Sequence, residues 1–328
     1  MDYEPPFLET YKTLLQKHVG DSRNDCFCCT VERCDIPLID LGRLSLEREE
    51  CMREIAEAAK EWGFFQVVNH GVPQELLKSM QIEQKEVFYQ PFVNKSTQQA
   101  IFSTLSAKAY RWGNPFATNL RQLSWSEAFH FYVTDISRIN QHEALRSSLE
   151  GFATRMFSLA QSLSEILACK LNAKSNYFRE HCSAKSCFIR LNRYPSCPIS
   201  KMHGLMPHSD TSFLTIVHQD QIGGLQLMKD GKWFAVKPNP HALLVNIGDL
   251  FQAWSNGVYK SIKHRVVAAE KAERFSVAFF YCPSEEAVIK SHIKPAIYRK
   301  FTFTEYKQQT EKDVKQSGGK VGLSRFLL

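Results

Sequence analysis

Gly224-Leu225-Gln226-Leu227-Met228, the interval Lys229-Asp230-Gly231-Lys232, then Trp233-Phe234-Ala235-Val236-Lys237 and the break Pro238-Asn239-Pro240 carry the texture that decides the fold. Short runs of apolar, β-branched and aromatic residues, each closed by Gly, Pro, Asn or Asp, read as strands. The same texture extends outward through Cys187–Tyr194, Phe213–His218, Ala242–Ile247, Val258–Val267 and Phe275–Tyr281. No helical pattern separates these runs, so they predict an antiparallel sandwich or barrel. A doubly wound α/β fold would need crossover helices and a Gly-rich phosphate loop, and the sequence has neither.

Toward the N-terminus the period changes. Leu46, Cys51, Met52, Ile55, Ala56, Ala59 and Trp62 recur near 3.6 residues, which predicts a helix that begins at Ser45 and stops at Gly63. A second helix follows the turn His70-Gly71-Val72-Pro73, with Leu76, Leu77, Met80, Val87 and Phe88 on its apolar side, and a long one covers about 141–171. Ile36-Pro37-Leu38-Ile39-Asp40-Leu41 and Phe64-Phe65-Gln66-Val67-Val68-Asn69 read as strands, the first near a sheet edge because of its proline. Residues 305–315 return to helix. The expected architecture is α+β: an N-terminal extension (1–34) containing a possible short helix from Phe7 to His18, a helix-rich region (35–175) packing on the barrel, and a barrel core with a C-terminal helix (176–328).

Composition narrows the function classes. The chain has 328 residues, 44% of them hydrophobic and 23% charged, which is the balance of a globular protein with a sizeable core. No run approaches the roughly 18 apolar residues of a spanning helix, and the first residues lack the basic and apolar regions of a secretory signal, so cytosol is the expected location. The net charge of +7 comes from dispersed Lys and Arg. Without a basic run interleaved with aromatics, neither nucleic acid nor membrane is an expected partner, whereas small carboxylates are compatible with the mild positive field. Ten cysteines in a chain without export signals read as reduced thiols. The group Cys26, Cys28, Cys29 and Cys34 lacks a second pair or a histidine to complete a zinc site, and reads as incidental thiols in a poorly ordered arm.

The chemistry lies in the strand-rich half. His208 and Asp210 flank one residue, so in extended backbone both side chains reach one side and one cation. His264 sits in the alternating run Ser261–Val267, among aliphatic neighbours. By itself it reads as a hydrogen-bonded core histidine. Further on, Arg274 and Ser276 share a face of the apolar run Arg274–Phe280, and no acidic residue alternates with them. A buried guanidinium needs a counter-charge; the simplest is an exogenous carboxylate gripped with the help of the Ser276 hydroxyl, and a distant structural Asp or Glu is the alternative. Two imidazoles and one carboxylate make the facial triad of non-haem Fe(II) oxygenases; zinc hydrolases can share that set, but have no use for the Arg-x-Ser pair.

The order His208-x-Asp210, His264, Arg274-x-Ser276 resembles the plant 2-oxoglutarate- and Fe(II)-dependent dioxygenases. Trp62–Gly71, Asn246-Ile247-Gly248-Asp249 and Ile36–Leu41 are typical of that family, so the resemblance spans nearly the whole chain. It implies a double-stranded β-helix (jelly roll), Fe(II), and 2-oxoglutarate as cosubstrate oxidised by O2 to succinate and CO2, with ascorbate as a possible reductant. Asn192-Arg193-Tyr194-Pro195 matches the family's Asn-x-Tyr-Pro strand, and the resemblance gives Asn192 and Tyr194 a part in holding 2-oxoglutarate. Tyr110-Arg111-Trp112-Gly113, Ser124–His130 and Lys320–Leu327 are similar to the gibberellin 2-oxidases (gibberellin 2-beta-dioxygenases) that act on C20 gibberellins. That likeness implies a 2β-hydroxylated, inactivated hormone as product, and it makes Tyr110, Arg111 and Trp125 the candidate substrate contacts. A dioxygenase of another specialised metabolite, such as a flavonoid, is the nearest alternative; a non-catalytic protein that binds a small acid is the more distant one.

Overall fold

The computed structural model describes residues 2–19, 31–97, 109–114, 117–173, 176–291, 293–317 and 319–328. Thirteen of its strands enter two large sheets: β1 Val31–Cys34, β2 Leu38–Asp40, β3 Phe64–Val68, β4 Tyr110–Trp112, β5 Glu127–Tyr132, β6 Phe188–Tyr194, β7 His203–His208, β8 Leu214–Gln219, β9 Leu225–Lys229, β10 Lys232–Val236, β11 Leu243–Ile247, β12 His264–Val267 and β13 Arg274–Tyr281. The larger sheet has the order β2-β3-β11-β8-β13-β6-β5-β4, and the smaller β1-β10-β9-β12-β7. Facing one another, they form the expected jelly roll. The helices used below are α1 Phe7–Thr10, α2 Lys12–Val19, α3 Arg48–Glu61, α4 Gln74–Phe88, α5 Phe92–Ser96, α6 Glu143–Lys170, α7 Asn176–His181, α8 Asp249–Trp254 and α9 Phe303–Ser317.

Strict alternation builds the large sheet, because successive side chains of a strand point to opposite faces. Ile189 and Leu191 of β6, Leu214 and Ile216 of β8, Leu243 and Val245 of β11, and Val277 and Phe279 of β13 turn one way, into a core shared with Ile55 of α3, Met80 of α4 and Phe152 and Met156 of α6. The residues between them (Arg190, Asn192, Thr215, Val217, Leu244, Asn246, Ser276 and Ala278) turn the other way and line a cavity between the sheets. The helices therefore cover the back of the sheet and leave its concave face to chemistry.

Several boundaries differ from expectation for local reasons. Ser45 does not cap the first long helix: it closes a 3-10 turn, its Oγ donating to the Gly42 carbonyl at 2.9 Å, and α3 begins three residues later. Only His264–Val267 of the run Val258–Val267 is strand. β7 carries Gly204 and Pro207, which mask its propensity; its partner β12 holds it extended. The region 35–175, expected to pack on the barrel, also helps to build it, since β2 and β3 extend one edge of the large sheet and β5 and β4 the other. None of the described helices is long and apolar enough to cross a membrane.

The described parts of the N-terminal extension, residues 2–19 and 31–34, are docked on the rest of the chain. Phe7 and Tyr11 are buried, Phe7 stacks on Trp125 at 4.6 Å, and β1 joins the small sheet beside β10. Cys26, Cys28 and Cys29 lie outside the described residues; Cys34 is a free thiol in β1. Beside this contact a buried ionic cluster ties β5 to β6. Lys95 Nζ and Arg193 Nη1 each donate to Glu127 at 2.6 Å, and Tyr110 OH donates to the same carboxylate. Arg193 also meets Glu273 at 2.8 Å and Glu4 at 3.3 Å. Replacing Glu127 with Gln strands two buried cations, so the variant is expected to lose about 3–5 kcal/mol in urea or thermal unfolding. A loss below about 1 kcal/mol would show that Glu4 and Glu273 suffice.

Candidate active site

In the pairing of β12 with β7, His264 stands directly opposite His208, and the two imidazole centroids are 4.2 Å apart. Asp210 follows two residues after the end of β7. Its loop is fixed from the far side by the start of α8, where Asp249 N–H donates to the Asp210 carbonyl at 2.8 Å. Gly248 makes this approach possible, because a Cβ there would lie 2.0 Å from the Ser212 carbonyl oxygen. The Asp210 Oδ1 atom is then 3.6 Å from His208 Nε2 and 3.7 Å from His264 Nε2.

The remaining atoms of these residues are already engaged. His208 Nδ1 lies 2.8 Å from the Met206 carbonyl and His264 Nδ1 3.1 Å from that of Ile262, which places the N–H on Nδ1 and the lone pair on Nε2 in both rings. Asp210 Oδ2 accepts from Thr215 Oγ1 at 2.7 Å and Asn246 Nδ2 at 2.8 Å, leaving Oδ1 to point at the imidazoles. Burial, reinforced by His264, pushes the His208 imidazolium down to about 3, so the ring is neutral. Burial opposes ionisation of Asp210, but the two imidazoles and the two hydrogen bonds outweigh it and hold the carboxyl at about 2. Two imidazole nitrogens and one anionic oxygen, oriented from behind, fit Fe(II) as a facial set. Thr215 and Asn246 were not among the predicted site residues, although their place on the inward parity of β8 and β11 signals them. Thr215→Val is expected to weaken Fe(II) binding ~10–100-fold with little loss of stability, as measured by metal titration.

Arg274 stands at another part of the same cavity, 3% exposed. Its guanidinium donates to Ser276 Oγ at 3.2 Å and to Gln219 Oε1 at 2.8 Å and packs on the Tyr194 ring at 4.9 Å. All three partners are neutral, and the buried Arg274 Nε has no hydrogen-bond partner. An anion is what this arrangement lacks, so a carboxylate such as that of 2-oxoglutarate fits it. Gln219 was also missed; it lies opposite Ser276 in the β13–β8 register. Asn192 lines the cavity, and Gln84 of α4 pins both strands from behind, its Nε2 donating to the carbonyls of Asn192 at 3.0 Å and Ser276 at 2.9 Å.

The three candidate substrate residues separate. Arg111 lines the cavity. Tyr110, its neighbour in an extended strand, faces the other way, toward Glu127 and the Phe129 ring. Trp125 is 4% exposed, its Nε1 donating to the Ser196 carbonyl, and it packs against the N-terminal helix away from the cavity. The cavity, ≈ 570 Å³, contains a second arginine, Arg190, and is walled beside it by His130, Tyr132, Phe188 and Phe280. Burial, with Arg190 and Arg111 nearby, pushes His130 down to about 4.

A final cluster braces the metal-side loop. Asp249 accepts from Ser261 Oγ at 2.5 Å, Ser209 Oγ at 3.3 Å and Tyr306 OH. Lys320, beyond α9, donates to Asp249 Oδ2 at 2.7 Å and to the carbonyl of Ser209, which lies between His208 and Asp210, at 2.5 Å.

A jelly roll with this triad and an anion-seeking arginine defines a class, and comparison with known proteins agrees: the chain belongs to the 2-oxoglutarate- and Fe(II)-dependent oxygenases. The model of the 2OG-Fe(II) oxygenase superfamily matches residues 185–283, and that of the non-haem dioxygenase in morphine synthesis N-terminal region matches residues 36–148. Within the family, the chain is similar along its whole length to gibberellin 2-beta-dioxygenases. It is 51% identical to Gibberellin 2-beta-dioxygenase 8 of Arabidopsis thaliana over 99% of this chain and 98% of that one. It is 46% identical to Gibberellin 2-beta-dioxygenase 5 of Oryza sativa subsp. japonica over 98% of this chain and 96% of that one. Among solved structures, JOX2 in complex with 2OG, Fe and JA superposes with a TM-score of 0.75 at 30% identity, covering 91% of this chain and 90% of that one.

Proposed function

We propose that this chain hydroxylates C20 gibberellins at the 2β position, consuming 2-oxoglutarate and O2 and releasing succinate and CO2. The observation that carries the reaction type is the meeting, in one cavity, of the His208–Asp210–His264 set with a buried Arg274 that has no acidic partner among the described residues. The substrate class rests on the full-length likeness to gibberellin 2-beta-dioxygenases.

His208, Asp210 and His264 would hold Fe(II), and Arg274 with Ser276 would take the far carboxylate of 2-oxoglutarate, with Tyr194 and Asn192 shaping its berth. When bound, the metal and cosubstrate supply O2-driven oxidation of an unactivated C–H bond. The chain's own work is placement: Thr215 and Asn246 aim the carboxylate, the Met206 and Ile262 carbonyls aim the imidazoles, and the aromatic wall keeps water from the substrate face. A cytosolic location goes with this reading and is checked by cell fractionation. The deciding assay is competition between C20 and C19 gibberellins, with products identified by mass spectrometry against 2β-hydroxylated standards. Preferential conversion of the C20 class is the expected result. Preference for C19 substrates overturns the subclass, and a flavonoid product without a gibberellin product moves the activity to another substrate.

A further inference from the structure

The cavity holds more positive charge than its own residues and 2-oxoglutarate together neutralise. Three guanidiniums line it: Arg274, Arg190 and Arg111. The lining has two carboxylates; Asp210 is committed to the triad, and Glu311 is an exposed residue of α9 at the mouth. On the proposed reading, 2-oxoglutarate spends one carboxylate at the metal and the other on Arg274. Arg190 and Arg111 then remain, and among the described residues neither side chain has a hydrogen-bond or ion-pair partner. Arg190 is half-buried and Arg111 exposed at the cavity's edge, so the two present positive charge where an entering anion can reach it.

The sheet register fixes how the two arginines are presented. Arg111 of β4 stands opposite Ala128 of β5, which stands opposite Asn192 of β6; Arg190 is two residues from Asn192 on the same face. Two strand spacings across and two residues along put the Cα atoms about 12 Å apart. Both side chains rise from the same cavity-facing side of the sheet. Arg190 is flanked in register by His130 on one side and Ala278 on the other, while Ala109 and Ala128 are the small residues nearer Arg111. These short side chains leave room around both guanidiniums. Beside Arg190 on the same face, two residues along β6, Phe188 stacks on Phe280 of β13 at 4.3 Å. His130, neutral, offers hydrogen bonds without adding a third charge.

We propose that Arg190 and Arg111 form a two-point clamp for a rigid polycyclic dicarboxylate, and that Arg190 is the specificity-determining residue that makes the cavity prefer a diacid to the corresponding monoacid. The inference rests on the gibberellin reading and deepens it. C20 gibberellins of the simplest kind carry two free carboxylates, whereas in C19 gibberellins one of them is closed into a lactone. Charge count, rather than the shape of the ring system, then separates the two classes.

The test is anaerobic calorimetric titration of the Fe(II)- and 2-oxoglutarate-loaded protein with a C20 gibberellin diacid, its monomethyl esters and a C19 lactone. The unsubstituted protein is expected to bind the diacid at least ~10-fold more tightly than either ester, the range for losing one charge-assisted contact. In Arg190→Gln the diacid weakens ~10–100-fold and the preference over the esters disappears, while Arg190→Lys keeps part of it. Arg111→Gln weakens the diacid less, because its side chain is exposed. The 2-oxoglutarate concentration that half-saturates the Fe(II)–2-oxoglutarate absorption band is unchanged in Arg190→Gln. Equal weakening of diacid and esters overturns the clamp, as does a shifted 2-oxoglutarate titration, which would hand Arg190 to the cosubstrate. If the unsubstituted protein binds no gibberellin, the proposed function falls separately, and the same proteins are titrated with adamantane-1,3-dicarboxylate and adamantane-1-carboxylate. A diacid preference lost in Arg190→Gln then supports the clamp, and no preference overturns it.

Discussion

Turnover is expected to fall to background when any one of His208, Asp210 or His264 is replaced by alanine, with the barrel still folded. The three side chains project into the cavity rather than the core, so their removal deletes donor atoms and leaves the apolar packing of α3, α4 and α6 against the large sheet intact. Asp210→Ala is the most severe of the three. It removes the anionic oxygen that both imidazoles face and also strips Thr215 and Asn246 of their acceptor. Metal titration and circular dichroism on the same samples separate the effects: Fe(II) binding is lost while the spectrum of the folded chain persists. Near-normal turnover with tight iron binding in His264→Ala would remove that residue from the ligand set.

Arg274→Gln is expected to raise the apparent KM for 2-oxoglutarate roughly 30-fold or more, and that for the hydroxylated substrate far less. Truncating one partner of a buried charge-assisted contact costs about 2–5 kcal/mol, and burial here leaves little screening. Gln219 and Ser276 remain to hydrogen-bond a neutral amide, which keeps the variant folded. Steady-state kinetics with each substrate varied in turn gives the split. An unchanged 2-oxoglutarate dependence would mean that the orphaned Arg274 Nε answers to another ligand.

How far the sequence could be read follows from which interactions are local. Six of the eight strands of the large sheet were legible because alternation is a property of neighbouring residues, whereas β4 and β5 were missed; the order of His208, Asp210, His264, Arg274 and Ser276 was legible through its likeness to a family. Parity was the information left unused. Tyr110 and Arg111 are consecutive in an extended strand and cannot both face one cavity, while Arg190 shares the inward parity of Asn192, two residues on. Trp125 was unreadable for a different reason. Its partner Phe7 is far away in sequence, and no local pattern announces that an N-terminal helix will dock there. The strand β7 was hidden because a glycine and a proline depress its propensity, and only pairing with β12 holds it.

The contact between Lys320 and the Ser209 carbonyl has a consequence for the order of events in the cell. Its two ends are 111 residues apart, so at typical elongation rates of about 5–20 residues per second the ribosome makes the ligand-bearing loop roughly 6–20 s before the lysine that braces it. His208 and Asp210 thus exist as a pair of side chains well before their loop is clasped. In a nascent chain halted short of Lys320, the loop that carries His208 and Asp210 would lack this brace.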